Sequence, residues 1–364
     1  MEFVNKKILI ISPENWGISF VSKHHYAQEL AKKGNVVYFL NPPSDKNELL
    51  KISNNLYVIN YKNKWRGSNK LPIFIKNIIH KWQIKQIYKL ANLKNIDIIW
   101  SFDPFRFQNL NLWQAHKKIY HSVDIHATDL EYEIANSADL ILANTDNILA
   151  KFKAINRPKH KINHGLAAHF LQKQIENFDL AGGRTDKIKV GYVGNLFMQA
   201  IDKKVCVDII KNNTQIDFYF IGANKSEENN LSTRQSSDFI QELAAENNVF
   251  LLGAKPSAEL PSLMQNFDLF LFCYQDNPPI IDNPHKILEY LSTGKTIVAT
   301  YIDEYKDKIN LLQMAKKNSE LLVLFQKTVG NLDYYNNNEM QTLRKNYAAE
   351  NTYTQQIKKI ENLL

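Results

Sequence analysis

The sequence predicts an α/β protein built as two doubly wound, Rossmann-like domains with parallel sheets. Three observations carry this. Strands and helices alternate along both halves, a glycine-bearing break separates the halves, and 364 residues exceed what one core holds. A hydrophobic content of 44% is enough to give each half its own core.

The alternation begins at the start of the chain. Lys7 to Ser12 reads as a buried strand, Ser19 to Lys33 as an amphipathic helix ended by Gly34, and Val36 to Leu40 as the next strand. Strands at Asp97 to Ser101, Lys118 to Val123 and Leu140 to Ala143 continue the series, with helices over 72–93, 130–136 and 145–155. Leu171 to Lys187 reads as a linker, broken at Gly182-Gly183-Arg184. Strands then follow at Lys189 to Val193, Asp217 to Ile221, Val249 to Leu252, Leu269 to Tyr274 and Ile297 to Tyr301. The stretch after Gly222 and Ala223 reads as an exposed polar loop to Ser236, and Asn351 to Leu364 as a terminal amphipathic helix. The expected organisation is a domain over 1–172, a second over 187–345, and a closing segment over 346–364.

Composition excludes several classes. Cys206 and Cys273 lie far apart in apolar surroundings without metal-ligand or CxxC spacing, so both are expected as reduced core residues. No apolar run reaches the length of a signal peptide or membrane span, which points to a cytoplasmic protein. No G-x-G-x-x-G dinucleotide fingerprint is present.

The most informative segment is Asn283-Pro284-His285-Lys286-Ile287-Leu288-Glu289-Tyr290-Leu291-Ser292-Thr293-Gly294. Asn283 suits an N-cap, Pro284 suits a first turn that needs no amide donor, and Gly294 suits a left-handed C-terminal cap. A helix is therefore expected over 284–293. Its first turn offers the backbone N–H groups of His285, Lys286 and Ile287 and the positive end of the helix dipole, an anion site to which Lys286 adds a full charge. Glu289 lies on the same face one turn deeper. That pairing suits a nucleotide, with phosphates at the helix start and ribose hydroxyls on the carboxylate. It equally suits a surface ion pair on an ordinary capped helix. The flanks favour a ligand, because Phe267 to Tyr274 and Thr296 to Tyr301 are strand-like and complete a βαβ unit, whose ligands bind beyond the carboxyl ends of the strands.

At these residues the chain resembles the glycosyltransferases of the two-Rossmann-domain (GT-B) type, and among them the family 4-like enzymes of bacterial surface polysaccharides. Their pattern Pro-x-Lys-x-x-Glu-Tyr-x-x-x-Gly-Lys-x-Val-Val appears here as Pro284, Lys286, Glu289, Tyr290, Gly294, Lys295 and Val298. Val190 to Asn195 is similar to the first strand and glycine turn of the family's donor domain, Ser137 to Thr145 to a late strand of its acceptor domain, and Asn163-His164-Gly165-Leu166 stands where the family has Asn-Gly-Val/Leu-Asp. The resemblance implies a donor domain second in the chain, an acceptor domain first, a cleft between them and a terminal helix that crosses back. It also implies no cofactor beyond a UDP- or GDP-linked sugar. The chain departs from the family twice. Ile281 stands where many members have a first glutamate, leaving Asp282 or backbone amides for the donor sugar. Asn195 stands where many have an arginine on the pyrophosphate, a role then left to Lys203 or Lys204.

Chemistry follows from charge. As the sugar leaves, negative charge grows on the phosphate, and fixed donors near Lys286 and Gly194-Asn195 lower that barrier. No Asp-x-Asp sequence is present, so a metal-independent reaction, active in EDTA, is expected. On the acceptor side the candidates are Trp16 and Gly17 in the loop after the first strand, His24 and His25 in the helix beyond it, Asp103, and the pair Asp124 and His126 at a strand's carboxyl end. Each could instead serve as a cap or loop anchor. With retention of configuration, the leaving phosphate itself can take the acceptor's proton.

Charge is uneven along the chain. No acid occurs from Leu49 to Ile96, while Lys51, Lys62, Lys64, Arg66, Lys70, Lys76, Lys81, Lys85, Lys89 and Lys94 do. Over 73–91 an apolar face of Ile75, Ile78, Ile79 and Trp82 beside Lys81, Lys85 and Lys89 suits a helix on anionic lipid, so segment 62–94 is read as a membrane-surface contact. A solvated basic face on a packed helix is the alternative; no recognised RNA or DNA module accompanies the charge. Two other classes stay open, a nucleotide-sugar epimerase of similar fold and a non-catalytic glycan-binding scaffold.

Overall fold

The computed structural model describes residues 1–17, 20–63, 65, 71–124, 126, 128–172, 186–223, 231–276 and 283–364, with the backbone alone over 231–236. The predicted contacts of Ile281 and Asp282, the linker glycines 182 and 183 and the basic residues 64, 66 and 70 lie outside the described residues.

In chain order the first elements are β1 (Lys7–Ile11), α1 (Ser22–Lys32), β2 (Val36–Leu40), β3 (Glu48–Ser53), β4 (Leu56–Asn60), α2 (Ile73–Leu90), β5 (Ile96–Ser101), β6 (Ala115–Ser122), α3 (Leu130–Ser137), β7 (Leu140–Ala143), α4 (Asp146–Ala150) and β8 (Lys159–Lys161). Then come β9 (Lys189–Val193), α5 (Lys203–Lys211), β10 (Asp217–Ile221), α6 (Leu231–Ala245), β11 (Val249–Gly253), α7 (Leu260–Met264), β12 (Leu269–Phe272), α8 (Lys286–Ser292), β13 (Thr296–Ala299), β14 (Gln313–Met314), α9 (Leu321–Val329), α10 (Leu332–Tyr335), α11 (Asn338–Glu350) and α12 (Tyr353–Glu361).

The chain divides into two compact units, residues 1–165 with 353–364, and residues 166–352. Among the described residues the first unit holds an eight-stranded sheet in the order β3-β4-β2-β1-β5-β6-β7-β8, parallel except for the β3–β4 hairpin. The second holds a six-stranded, all-parallel sheet in the order β11-β10-β9-β12-β13-β14. The central strands are buried on both faces because helices cover both, which is why they read as unbroken apolar runs such as LILA and LFLF. Strand order reverses between β1 and β5 in one sheet and between β9 and β12 in the other, so the loops after those strands are where each unit can take a ligand.

Chain crossings differ from the sequence reading. Phe170, expected in the first domain, packs in the second unit's core, so the crossing falls after Gly165. The closing segment is two helices: α11 belongs to the second unit and α12 to the first, because Asn351 and Thr352 leave the helix to bond and bridge with Leu166. Residues 231–236, read as exposed loop, form the start of α6. The β3–β4 hairpin and β14 had no counterpart in the sequence reading.

α12 completes the first unit. Ile357, Ile360 and Tyr353 are buried, and Glu361 accepts from the Phe3 N–H and from Lys33. Burying each large apolar side chain is worth about 2 kcal/mol, so this last turn of chain is part of the core and not an appendage.

Candidate functional site

Each unit gathers polar residues at the carboxyl edge of its sheet. In the second unit β9 runs into Gly194-Asn195. Gly194 N–H donates to Ile221 O at 2.9 Å, and a Cβ on Gly222 would lie 1.7 Å from Gly194 O, so the turns after β9 and β10 touch backbone to backbone and Gly222 admits no side chain. Asn195 is exposed, and its Oδ1 accepts from Phe197 N–H at 2.9 Å, closing its own turn.

α8 starts two residues later than predicted. His285 holds the cap position in helical conformation, and bonds from Ile287 N–H to Pro284 O and Leu288 N–H to His285 O, both 3.1 Å, wind a tight turn before the helix. Two corrections follow. The Ile287 amide is consumed inside that turn and leaves the predicted donor set, and Asn283, predicted as the cap, lies buried ahead of it. At the far end Gly294 has φ +80°, the left-handed cap the sequence indicated. Arg344, fully buried on α11, donates to Gly294 O at 2.9 Å and Leu311 O at 3.0 Å; burial lowers its pKa to about 10.

Lys286 Nζ donates to Glu289 Oε2 at 2.8 Å, and His285 Nε2 stands 3.8 Å from Glu289 Oε1. The ion pair that the sequence left open is therefore formed, partly buried, at the start of α8. Tyr290 explains its placement. Its hydroxyl accepts from Val193 N–H at 2.9 Å and donates to Val193 O at 3.2 Å, while its ring stacks on Phe270 at 4.3 Å. These contacts clamp α8 to the last residue of β9 and bring Glu289's helix beside the Gly194-Asn195 turn.

Of the proposed pyrophosphate lysines, Lys203 opens α5 with its Nζ 5.9 Å from the Phe239 ring centroid; burial lowers its pKa and Asp238 partly offsets this. Lys204 is exposed and pairs with Asp208 at 2.7 Å. A network absent from the sequence reading anchors the loop after β12: Asn318 N–H donates to Asp276 Oδ1 at 2.8 Å, and its side-chain amide to Asp202 Oδ2 at 2.6 Å and Tyr274 O at 2.7 Å.

In the first unit Trp16 is half-buried, donates its N–H to Asn41 Oδ1 at 2.9 Å, and packs its ring on Phe20, His24 and Phe39. Gly17 beside it has φ +95°. His24 is buried with Nδ1 accepting from Val21 N–H at 3.2 Å and Nε2 facing Asn15 O at 3.1 Å, an arrangement that fits the neutral ring with its proton on Nε2; burial lowers its pKa. His25 stacks on Tyr353 at 4.9 Å. Asp103 is buried against Arg106, whose guanidinium also reaches Ser12 O, Asn41 O and Tyr61 Oη, so Asp103 ties together the ends of β1, β2 and β4. His24 and Asp103 are thus anchors in this structure.

Asp124 is different. The residue is exposed at the surface, yet the protein around its carboxyl desolvates it enough to raise its pKa; Lys23 and His126 oppose the shift, and Glu14 and Glu131 add to it. His126 packs edge-on to Phe105 at 5.4 Å. The sequence reading missed what holds this loop. Glu131, fully buried, accepts from Tyr120 Oη and Ser122 Oγ at 2.8 Å each and pairs with Lys151, whose Nζ also donates to His126 O at 2.8 Å. Lys23, buried in the first turn of α1, meets Glu14 at 2.5 Å. Only burial distinguishes these charges from solvated ones. His164 bonds Asn144 Nδ2 at 2.8 Å and Ser22 Oγ at 3.4 Å, joining the end of β7 to the start of α1.

No protein-family model and no curated protein matches this chain. Solved structures do. A sucrose-phosphate synthase from Thermosynechococcus elongatus superposes with a TM-score of 0.75 at 11% identity, over 98% of both chains. HepE of Anabaena, solved with UDP and glucose, gives 0.71 at 14% identity, over 98% of both chains. A UDP-forming α,α-trehalose-phosphate synthase from Burkholderia vietnamiensis gives 0.67 at 9% identity, over 98% of this chain and 96% of that one. At such identities the likeness speaks for architecture, and the architecture is that of the two-Rossmann-domain GT-B fold.

Proposed function

We propose that this chain is a glycosyltransferase that moves a sugar from a UDP- or GDP-linked donor to a glycan or lipid-linked acceptor in cell-surface polysaccharide synthesis. The observation that carries the reading is the clamp between Tyr290 and Val193, which sets the Lys286–Glu289 helix beside the Gly194-Asn195 turn at the switch point of the second sheet. The likeness to HepE, solved with UDP and glucose, supports it.

In the proposed reaction the bond from the anomeric carbon to the diphosphate oxygen breaks, an acceptor hydroxyl oxygen bonds the carbon, and the hydroxyl proton passes to the leaving phosphate. Configuration is retained. Lys286 opposes the charge growing on that phosphate, and Glu289 accepts from the ribose hydroxyls, so nucleotide binding exchanges their ion pair for ligand contacts. Gly194, Asn195, Lys203, Asn283 and the His285 turn complete the donor set. In the first unit Asp124, His126, Trp16 and Gly17 serve the acceptor. The Asp124 carboxylate, whose charge the surrounding protein disfavours, accepts a hydrogen bond from the acceptor hydroxyl and orients it while the proton passes to the phosphate. Fixed donors stabilise the leaving group, so activity is expected to persist in EDTA. The site of action is the cytoplasmic side of a membrane.

Calorimetric titration with UDP, GDP, CMP and NAD in EDTA, beside Glu289→Ala, tests the donor site. UDP or GDP binds, and the variant binds at least about tenfold more weakly, since a hydrogen bond to a charged group contributes about 1.5–3 kcal/mol. Absence of binding by all four nucleotides overturns the reading. Asp124→Ala lowers turnover and leaves nucleotide Kd unchanged; unaltered turnover removes Asp124 from the chemistry.

A further inference from the structure

α2 buries a mixed face. Ile79, Ile84 and Ile87 are buried, and between them Lys76, 4% exposed, pairs with Glu133 at 2.6 Å, His80 is buried, and buried Gln83 donates to Asn63 Oδ1 at 2.7 Å. Its outward face is apolar at the N-terminal end, where Ile73, Phe74, Ile78 and Trp82 are 56, 64, 64 and 41% exposed, and basic towards the C-terminal end, where Lys81, Lys85 and Lys89 are exposed. Leu71 and Trp65 are exposed just before it. The sequence reading put Ile75 and Ile79 on the outer face; the structure half-buries Ile75 and buries Ile79. A surface helix ordinarily keeps its large apolar side chains on the buried face, so Ile73, Phe74, Ile78 and Trp82 form a second apolar set that meets water.

We propose that the outer face of α2 is a docking surface for an anionic lipid bilayer. Phe74, Ile78 and Trp82 enter the boundary between headgroups and acyl chains, and Lys81, Lys85 and Lys89 meet the lipid phosphates. Charge complementarity selects this occupant: no acid occurs from Leu49 to Ile96 to offset the lysines. The same lysine row disfavours a second copy, since a twofold contact through this face sets like charges together. The ion pair and hydrogen bond under α2 hold it in this orientation, so the face is presented without rearrangement.

Co-sedimentation of the full chain with vesicles decides the matter, with no sugar or nucleotide present, so its outcome is independent of the transferase reading. Binding is expected to vesicles containing phosphatidylglycerol, to weaken with salt, and to be weak to phosphatidylcholine alone. The exposed pair Phe74→Ser with Ile78→Ser abolishes binding while circular dichroism is unchanged. Replacing Lys81, Lys85 and Lys89 by Gln lowers partitioning roughly a hundredfold, each lysine contributing about fivefold, which is about 1 kcal/mol. No sedimentation with anionic vesicles, or sedimentation unchanged in either variant, overturns the proposal. A dimer seen in light scattering and lost in the serine variant, with no vesicle binding, assigns the face to a second copy and overturns it equally.

Discussion

For single residues, burial decides what a charge or a histidine can do here. His121 stacks among Tyr26, Trp100 and Phe102, and burial lowers its pKa to about 3, helped by His164 and Lys23. His80 falls to about 4, again chiefly through burial. An unfolded histidine titrates near 6.5, so between that pH and the folded value the unfolded chain binds a proton that the native one refuses. Stability therefore falls as pH drops below 6.5, by about 2 kcal/mol per histidine at pH 5. Urea unfolding at pH 7 and pH 5 measures this, and His121→Phe should shrink the loss by about that amount. An equal loss in the variant would mean that His121 titrates normally. The same principle sorts the site. The Lys286–Glu289 ion pair was legible from sequence because its spacing of three is local. Lys23, Glu131 and Lys151 were not, because what makes them special is enclosure by partners distant in sequence, such as Lys151 with Glu131, 20 positions away, and with His126 O, 25 away.

Among elements, α8 depends on its neighbours more than on its own seven residues, too few to be stable alone. Tyr290 fastens it to β9, and Arg344 holds the Gly294 carbonyl just past its end. Tyr290→Phe leaves the Val193 N–H without that acceptor and should cost about 1–3 kcal/mol. Denaturation measures the cost, and nucleotide affinity should weaken with it if the clamp orients the site; an unchanged Kd would assign the clamp to stability alone. Other elements show where pattern reading holds. β2, β7, β9 and β10 fall on the residues expected, since apolar runs bounded by polar breaks admit one assignment. α2 was located within a few residues, with Ile78, Trp82 and the three lysines exposed as expected, but Ile79 is buried and Ile75 half-buried, because the Lys76–Glu133 pair spans 57 positions and sets the helix's rotation. The β3–β4 hairpin escaped notice because β3 is an edge strand exposed along most of its length and shows no alternation.

For the whole molecule, the second unit is an insertion within the first. Leu166 N–H bonds Asn351 O at 2.7 Å and Leu166 bridges Thr352, so the two ends of residues 166–352 are already fastened to each other. The excised segment 166–352 should fold alone and keep the nucleotide affinity of the full chain, read by the same calorimetry; an aggregated or non-binding fragment would show that the donor residues need the first unit. Residues 1–165 without α12 should unfold at a lower temperature than the same segment rejoined to 353–364, because α12 supplies Tyr353, Ile357 and Ile360 to that core. An insert whose ends meet is also a cassette. One half can be exchanged for a foreign counterpart through a single pair of adjacent junctions, so the group recognised by one unit can change in evolution or by design while the sequence of the other stays as it is.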